Sequence, residues 1–316
     1  MKRLFIFGFI LMLMNSGFSQ SRSMTVPFVS YWALGDIYNF KVSKINEQWK
    51  EDKLIKTDTT AYLANFEVID STENSYKIKW SFRTQLANNI ELSDRVLEKL
   101  ANYKMTHVIY RTSEVGAFIE IENWEEISTM MKNLLGDLSE AMAADGVAKK
   151  EALDQAFQPL ITVYGSKEGI EQVVFKEIHH FHFPLGSEFK VKKTLKYKDL
   201  LPNLIGGEPL KADGKIYFNT VDFDKNYCVL IQELQINPKD SKRLISEFLG
   251  QMKLEKGNEM AQIINTGKID VRDYNRYAYY YDPGVPVEID AQRETLIDLG
   301  KEKGRKVEKI RIELVE

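Results

Sequence analysis

The sequence predicts an α+β protein of mostly antiparallel, curved sheets, and three observations carry that expectation. Apolar and polar residues alternate in IYNFKVSKI (37–45), YKIKWSF (76–82) and KVEKIRIELV (306–315), the period-2 signature of strands with one buried face. The connections between such segments are short, which restricts neighbouring strands to antiparallel pairing. An order of landmarks also recurs along the chain, giving two duplicated β-β-β-α-β-β units with an inserted αα-hairpin.

Taken in order, Lys2 and Arg3 precede an apolar run from Leu4 to Met14, followed by the small and polar residues Asn15 to Ser19. That is the pattern of a secretory signal peptide. Eleven helical residues reach about half of a roughly 30 Å hydrocarbon layer, too short for a retained span. Residues 1–19 are expected to leave, with Gln20 as the new terminus. No cysteine lies near the cut, so no lipid anchor is expected there.

The first β-rich unit is expected over 20–122. It opens at Leu34, Gly35 and Asp36 and continues through a hairpin, NFEVID and YKIKWSF around a polar turn at Ser71–Asn74. A helix capped by Ser93 follows, with Val96, Leu97 and Leu100 at helical spacing. The unit ends with VIYRTSEVGAFIEIE (108–122). The second unit, 161–316, opens at Leu185, Gly186 and Ser187. It runs through IYFNTVDF and YCVLIQEL, a helix capped by Asp240, and RYAYYYDPGVPVEID (276–290). In this register Tyr76 matches Tyr227 and Gly116 matches Gly284. The units are expected to form two domains or two halves of one curved sheet.

The insertion, 123–160, carries Trp124, Ile127, Met131, Leu134, Leu135 and Leu138 at spacings of three and four, behind Asn123 as N-cap. A second helix is expected from Lys149 to Phe157, stopping before Pro159, and a strand from Val173 to Phe183. The C-terminal segments VPVEIDAQRETLIDL and KVEKIRIELV flank a turn at Gly300–Gly304 and read as a hairpin. Leu204–Gly207 and its neighbours read as a turn.

The full chain has a formal charge of −3, and loss of Lys2 and Arg3 leaves the mature chain more acidic. Such a balance gives no footprint for nucleic acid. Cys228 is the only cysteine, so no intramolecular disulfide can form and stability rests on a hydrophobic core. Nucleophile-elbow, zinc-protease, P-loop and dinucleotide-binding motifs are all missing from the sequence. No cofactor is expected.

Two constellations stand out as candidate sites. Tyr277, Tyr279 and Tyr281 fall on one face of the expected strand, with Ala278 and Tyr280 on the other. Tyrosine offers a flat apolar body with a polar tip, suited to sugars or apolar ligands and equally to filling a wide core. Met131, with Met130 and Met142, adds an adaptable apolar surface on the insertion. His180 and His182 share a face of the expected strand 173–183, with His179 opposite. Paired imidazoles can chelate a divalent metal once a third ligand joins them. The carboxylate pairs Glu120 with Glu122 and Glu125 with Glu126 are not set apart from the many others.

The signal segment ending GFSQ, the Leu34-Gly35-Asp36 start, GAFIEIENWEEI (116–127) and YYYDPGVPVEI (279–289) together resemble a group of uncharacterised exported proteins of Bacteroidetes and flavobacteria. More remotely, the ending of aromatic strand, Asp-x-Gly turn and hairpin is similar to the lipoprotein-carrier superfamily, whose members hold lipid in an open β-barrel. That similarity implies a curved, open sheet and an apolar ligand; the chain departs from it in lacking a lipobox and in its greater length.

The expected role is an exported, periplasmic or secreted, non-enzymatic envelope protein. It would bind an apolar small molecule, a lipid or a glycan between sheet and helices, at Tyr277, Tyr279, Tyr281 and Met131. Alternatives are an envelope hydrolase using carboxylates or a histidine-bound metal, and a scaffolding protein that docks through the insertion helix. No membrane span is expected after signal cleavage.

Overall fold

The computed structural model describes residues 24–82, 93–103, 105–171, 175–201, 203, 208–251, 267–300 and 302–315. The signal segment 1–19 and the Leu204–Gly207 turn lie outside the described residues. The elements run β1 (Thr25–Pro27), β2 (Ile37–Lys50), β3 (Lys53–Ser71), β4 (Ser75–Phe82), α1 (Asp94–Ala101), β5 (His107–Ser113) and β6 (Phe118–Ile121). Next come α2 (Trp124–Ala144), α3 (Lys150–Tyr164), α4 (Lys167–Gly169), α5 (Lys176–His182), β7 (Glu188–Lys190), β8 (Leu195–Leu201) and β9 (Leu210–Asp222). The chain closes with β10 (Tyr227–Ile236), α6 (Pro238–Gln251), β11 (Lys268–Tyr280), β12 (Val285–Asp298) and β13 (Lys303–Val315).

Eleven strands form one sheet in the order β6-β5-β4-β3-β2-β13-β12-β11-β10-β9-β8, and β1 pairs with β7 apart from it. Every pairing is antiparallel. The C-terminal strand β13 sits between β2 and β12, so the early and late strands share a single sheet rather than two. The order strand-strand-strand-helix-strand-strand occurs at β2–β6 with α1 and again at β8–β12 with α6.

The residue-by-residue register expected between the two runs does not hold. Tyr76 packs on the inner face against Trp32, whereas Tyr227 joins a cluster on the outer face with Val229, Ile231 and Ala278. Tyr110 lies in the main core, whereas its gap-free counterpart Ala278 faces outward. An offset of one residue flips every side chain in a strand, so faces, rather than glycine landmarks, decide equivalence.

The sheet is strongly curved. The β5–β6 turn and the β11–β12 turn are five strand steps apart, about 24 Å along a flat sheet. Both nevertheless touch Ser30. A Cβ at Gly116 would lie 2.9 Å from Ser30 Cβ, and one at Gly284 would lie 3.0 Å from Ser30 Cα. The Ser30 amide donates to Val115 O, and Tyr31 N donates to Pro283 O. The segment after β1 therefore threads between two turns that the curl has brought together.

Three local expectations need correction. Residues 173–183 do not form a strand: 176–182 is the helix α5. Phe175, Ile178 and Phe181, at helical spacing, are all buried, so packing selected the three-to-four period over the alternation that the histidines suggest. Helix α3 continues through Pro159 to Tyr164. Gln155, whose carbonyl loses its partner there, is exposed and can bond water instead. Asp240 is not the cap of α6. Asn237 Oδ1 accepts from Lys239 N at 2.9 Å, and Asp240 accepts from Lys211 N of β9 at 2.8 Å.

Ser93 does cap α1, accepting from Val96 N at 3.3 Å. Asn123 precedes α2 but spends its side-chain oxygen on Ile109 N, at 2.9 Å. The insertion is an αα-hairpin fastened by Ser139, which donates to Asp154 at 2.5 Å. Described basic residues of the β12–β13 tip have partners: Arg305 meets Glu294 and lies over the Trp49 ring at 4.2 Å, and Lys303 meets Asp298.

Gly35 and Gly284 separate strain from crowding. Both have φ above +80°, but a Cβ at Gly35 meets nothing within 4 Å while one at Gly284 lies 2.7 Å from Val29 O. Gly284→Ala is expected to lose about 1–3 kcal/mol more than Gly35→Ala in urea unfolding; equal losses would mean the turn does not press on the 29–31 segment.

Candidate functional site

The inner face of the curl is filled from within. Helix α5 lies across it, and Phe181 sits among Phe40, Phe66 and Trp80 at ring-centroid distances of 5.2, 5.3 and 5.7 Å. Tyr277 and Tyr279 are wholly buried, with Tyr281 nearly so in the turn that follows β11. Tyr279 OH donates to the Phe181 carbonyl, and Tyr277 stacks on Phe183 at 4.8 Å. Met131, on α2, is partly buried against the same cluster. These four residues are therefore brought into or against one core, and no open surface is left on the two strand tyrosines.

The histidines occupy different partners. On a helix, residues two apart point roughly 200° from each other, so His180 and His182 diverge. His182 is buried; its Nδ1–H donates to Gly116 O at 2.8 Å and its Nε2 accepts from Tyr110 OH at 2.9 Å. His180 Nδ1 meets Tyr277 OH at 3.2 Å, and that hydroxyl donates to Gln232 Oε1 at 3.2 Å. Gln232 in turn donates to Tyr197 OH at 2.8 Å, completing a buried polar chain. Burial lowers the pKa of His180 to about 4 and that of His182 to about 3, so both are neutral. Among the described residues no group of three or more His, Cys, Asp or Glu is placed to hold a metal ion.

Below this core the inner face turns ionic. Glu177 Oε1 accepts from Lys44 at 2.8 Å and from Tyr62 OH at 2.7 Å, while its buried Oε2 has no hydrogen-bond partner among the described residues. Arg293 makes a bidentate pair with Asp273, both contacts 2.7 Å, which raises the arginine's pKa. Burial lowers the Lys176 pKa, with Glu308 3.9 Å away pulling the other way.

The opposite, outer face carries a groove of about 810 Å³ across β8 to β12. Its walls are two rows of directly paired positions. One row is Lys196, Lys215, Glu233, Tyr274 and Gln292; the other is Lys198, Asp213, Gln235, Arg272 and Glu294. The backbone of Tyr197, Gly214, Leu234 and Asp273 runs between them as a floor, their side chains turned inward. Gly214 is required there: a Cβ would lie 2.3 Å from the Tyr197 ring.

The groove's charges are partly tied down. Lys215 and Tyr217 bond Glu233 at 2.8 and 2.9 Å; burial alone would raise the Glu233 pKa, and these bonds lower it. Burial, then Glu233, pushes Tyr217 up to about 12. Arg272 reaches Asp270 at 2.5 Å, which also accepts from Gln235. Tyr274 keeps 49% of its surface exposed, an aromatic face free for a ligand.

Sequence reasoning did not find this groove. Its residues come from five strands at intervals of two, and only cross-strand register assembles them. The one local signal is Gly214 within a strand, a marker of close approach by another group.

No protein-family model matches the chain. No curated protein matches it either. The geometry therefore stands on its own.

Because burial lowers the pKa of all three α5 histidines, His179, His180 and His182, the unfolded chain binds protons first as pH falls below about 6.5, so stability rises with pH across that range. Urea unfolding is expected to be level for this contribution above pH 7. It should decline from about pH 6.5 toward pH 4, on the order of 1.4 kcal/mol per pH unit for each histidine. His180→Gln with His182→Gln should make the slope shallower, leaving the part due to His179; an unchanged slope would place His180 and His182 in water.

Proposed function

We propose that this chain is an exported, non-enzymatic binding protein whose ligand is an extended glycan lying in the outer-face groove. The observation that carries the reading is the lining of that groove. An exposed tyrosine face stands beside amide, carboxylate and guanidinium side chains in two parallel rows, with a backbone floor between them. Sugars present both apolar ring faces and dense hydroxyl groups, and planar polar side chains beside an aromatic answer both. Five strands at about 4.8 Å give a groove on the order of 20 Å long, suited to a linear chain.

An apolar ligand at the inner tyrosines would require α5 to leave, because Phe181 and the 28–32 segment already fill that space. The groove needs no such movement. Export rests on the signal pattern at 1–19. The two-unit organisation is kept as an inference, supported by the recurring element order and by the glycines at positive φ in both turns, Gly116 and Gly284.

Calorimetry of the mature chain against envelope oligosaccharides tests the reading. Tyr274→Ala is expected to weaken binding at least about tenfold, about 1.4 kcal/mol, with an unchanged urea midpoint. Absence of any carbohydrate binding, or a lipid extracted with the purified protein, would overturn it.

A further inference from the structure

The two edges of the sheet are treated differently. At the β6 edge, Ile121 N donates to Glu171 Oε1 at 2.7 Å and Glu120 is held by Lys167 of α4, so side chains blunt that edge. At the other end, among the described residues, β8 is hydrogen-bonded to β9 alone, and only Leu200 N is met locally, by Asp199 at 2.8 Å. An unpaired strand edge is a row of donors and acceptors ready for another strand.

The charge on β8 and in the segment leading into it is unusual for this chain. Lys190, Lys192, Lys193, Lys196 and Lys198 fall within nine residues, against Glu188 and Asp199 nearby, in a protein whose formal charge is −3. All five are exposed, and among the described residues their ammonium groups make no ion pair or hydrogen bond. Lys303 and Lys306 of the β12–β13 tip, by contrast, are paired. Lysines on an edge repel a second copy of the same edge, which disfavours self-association. They leave one kind of strand favoured.

We propose that β8 is a docking edge for an extended, acidic segment of another protein, which adds as a twelfth strand. Lys196 and Lys198 share the outer face, so carboxylates at alternate positions of the incoming strand would meet them as cross-strand pairs. The intervening positions would lie beside Leu195 and Tyr197, on the inner side, where apolar residues fit. Main-chain bonds supply the affinity and the lysines supply the choice of partner.

Fluorescence anisotropy of the mature chain with a labelled ten-residue Glu-Val alternating peptide tests this. Binding is expected that falls at least about tenfold with Lys196→Glu plus Lys198→Glu, and equally when alternate backbone amides of the peptide are N-methylated. Tyr274→Ala should leave peptide binding intact, which distinguishes strand addition from glycan binding in the groove that Lys196 and Lys198 also border. Three results would overturn the proposal: no peptide binding, binding indifferent to N-methylation, or equal binding to vesicles of phosphatidylglycerol.

Discussion

The fold depends on one interaction above the others: the seating of α5 inside the curl of the sheet. A seven-residue helix is too short to hold itself together in water, so its stability is borrowed from what it touches. It touches strands from both ends of the chain. Phe181 fills the space between β2, β3 and β4, His182 joins β5, His180 and the Phe181 carbonyl join β11, and Glu177 joins β2 and β3. Without this filling, a curved eleven-strand sheet would enclose a void lined by phenylalanine, tryptophan and tyrosine. Close packing forbids such a void at low cost. His180 and His182 belong to the same seat, since each gives a buried hydroxyl or carbonyl its partner.

That seat sets the division between the two faces. The inner face is committed to structure, with its aromatic cluster buried and His180, Tyr277, Gln232 and Tyr197 linked in a hydrogen-bonded chain. Among the described residues the outer face is free of helices over β8 to β12 and, apart from the buried Val229, Ile231 and Ala278 cluster, presents polar side chains, as expected for an antiparallel sheet covered on one side. Binding there needs no opening of the core. A preformed groove on a rigid sheet avoids the ordering cost that a buried inner site would impose.

Much of the architecture was legible in the sequence because strand alternation and turn chemistry are local. The β3–β4, β9–β10 and β12–β13 hairpins, the αα-hairpin and the Ser93 cap all follow from neighbouring residues. The failures share a cause. In FKEIHHFHF both the two-residue and the three-to-four-residue periods are present, and only the concave sheet it packs against selects the helix. Pro159 reads as a stop, yet an exposed carbonyl tolerates the missing donor. The tyrosine face was visible as a pattern, but whether it meets ligand or Phe181 is decided by a helix more than ninety positions away in the chain. The groove was invisible for the same reason, being made by register across five strands.

Urea unfolding of Phe181→Ala tests the central claim most directly, because that ring touches β2, β3 and β4 at once. If α5 is the element on which the curl closes, truncating it should cost about 3–5 kcal/mol, the range for a buried phenylalanine whose site cannot collapse. A loss below about 1 kcal/mol, with near-UV dichroism of the tyrosines unchanged, would show that the sheet holds its curvature without the helix and would contradict the account.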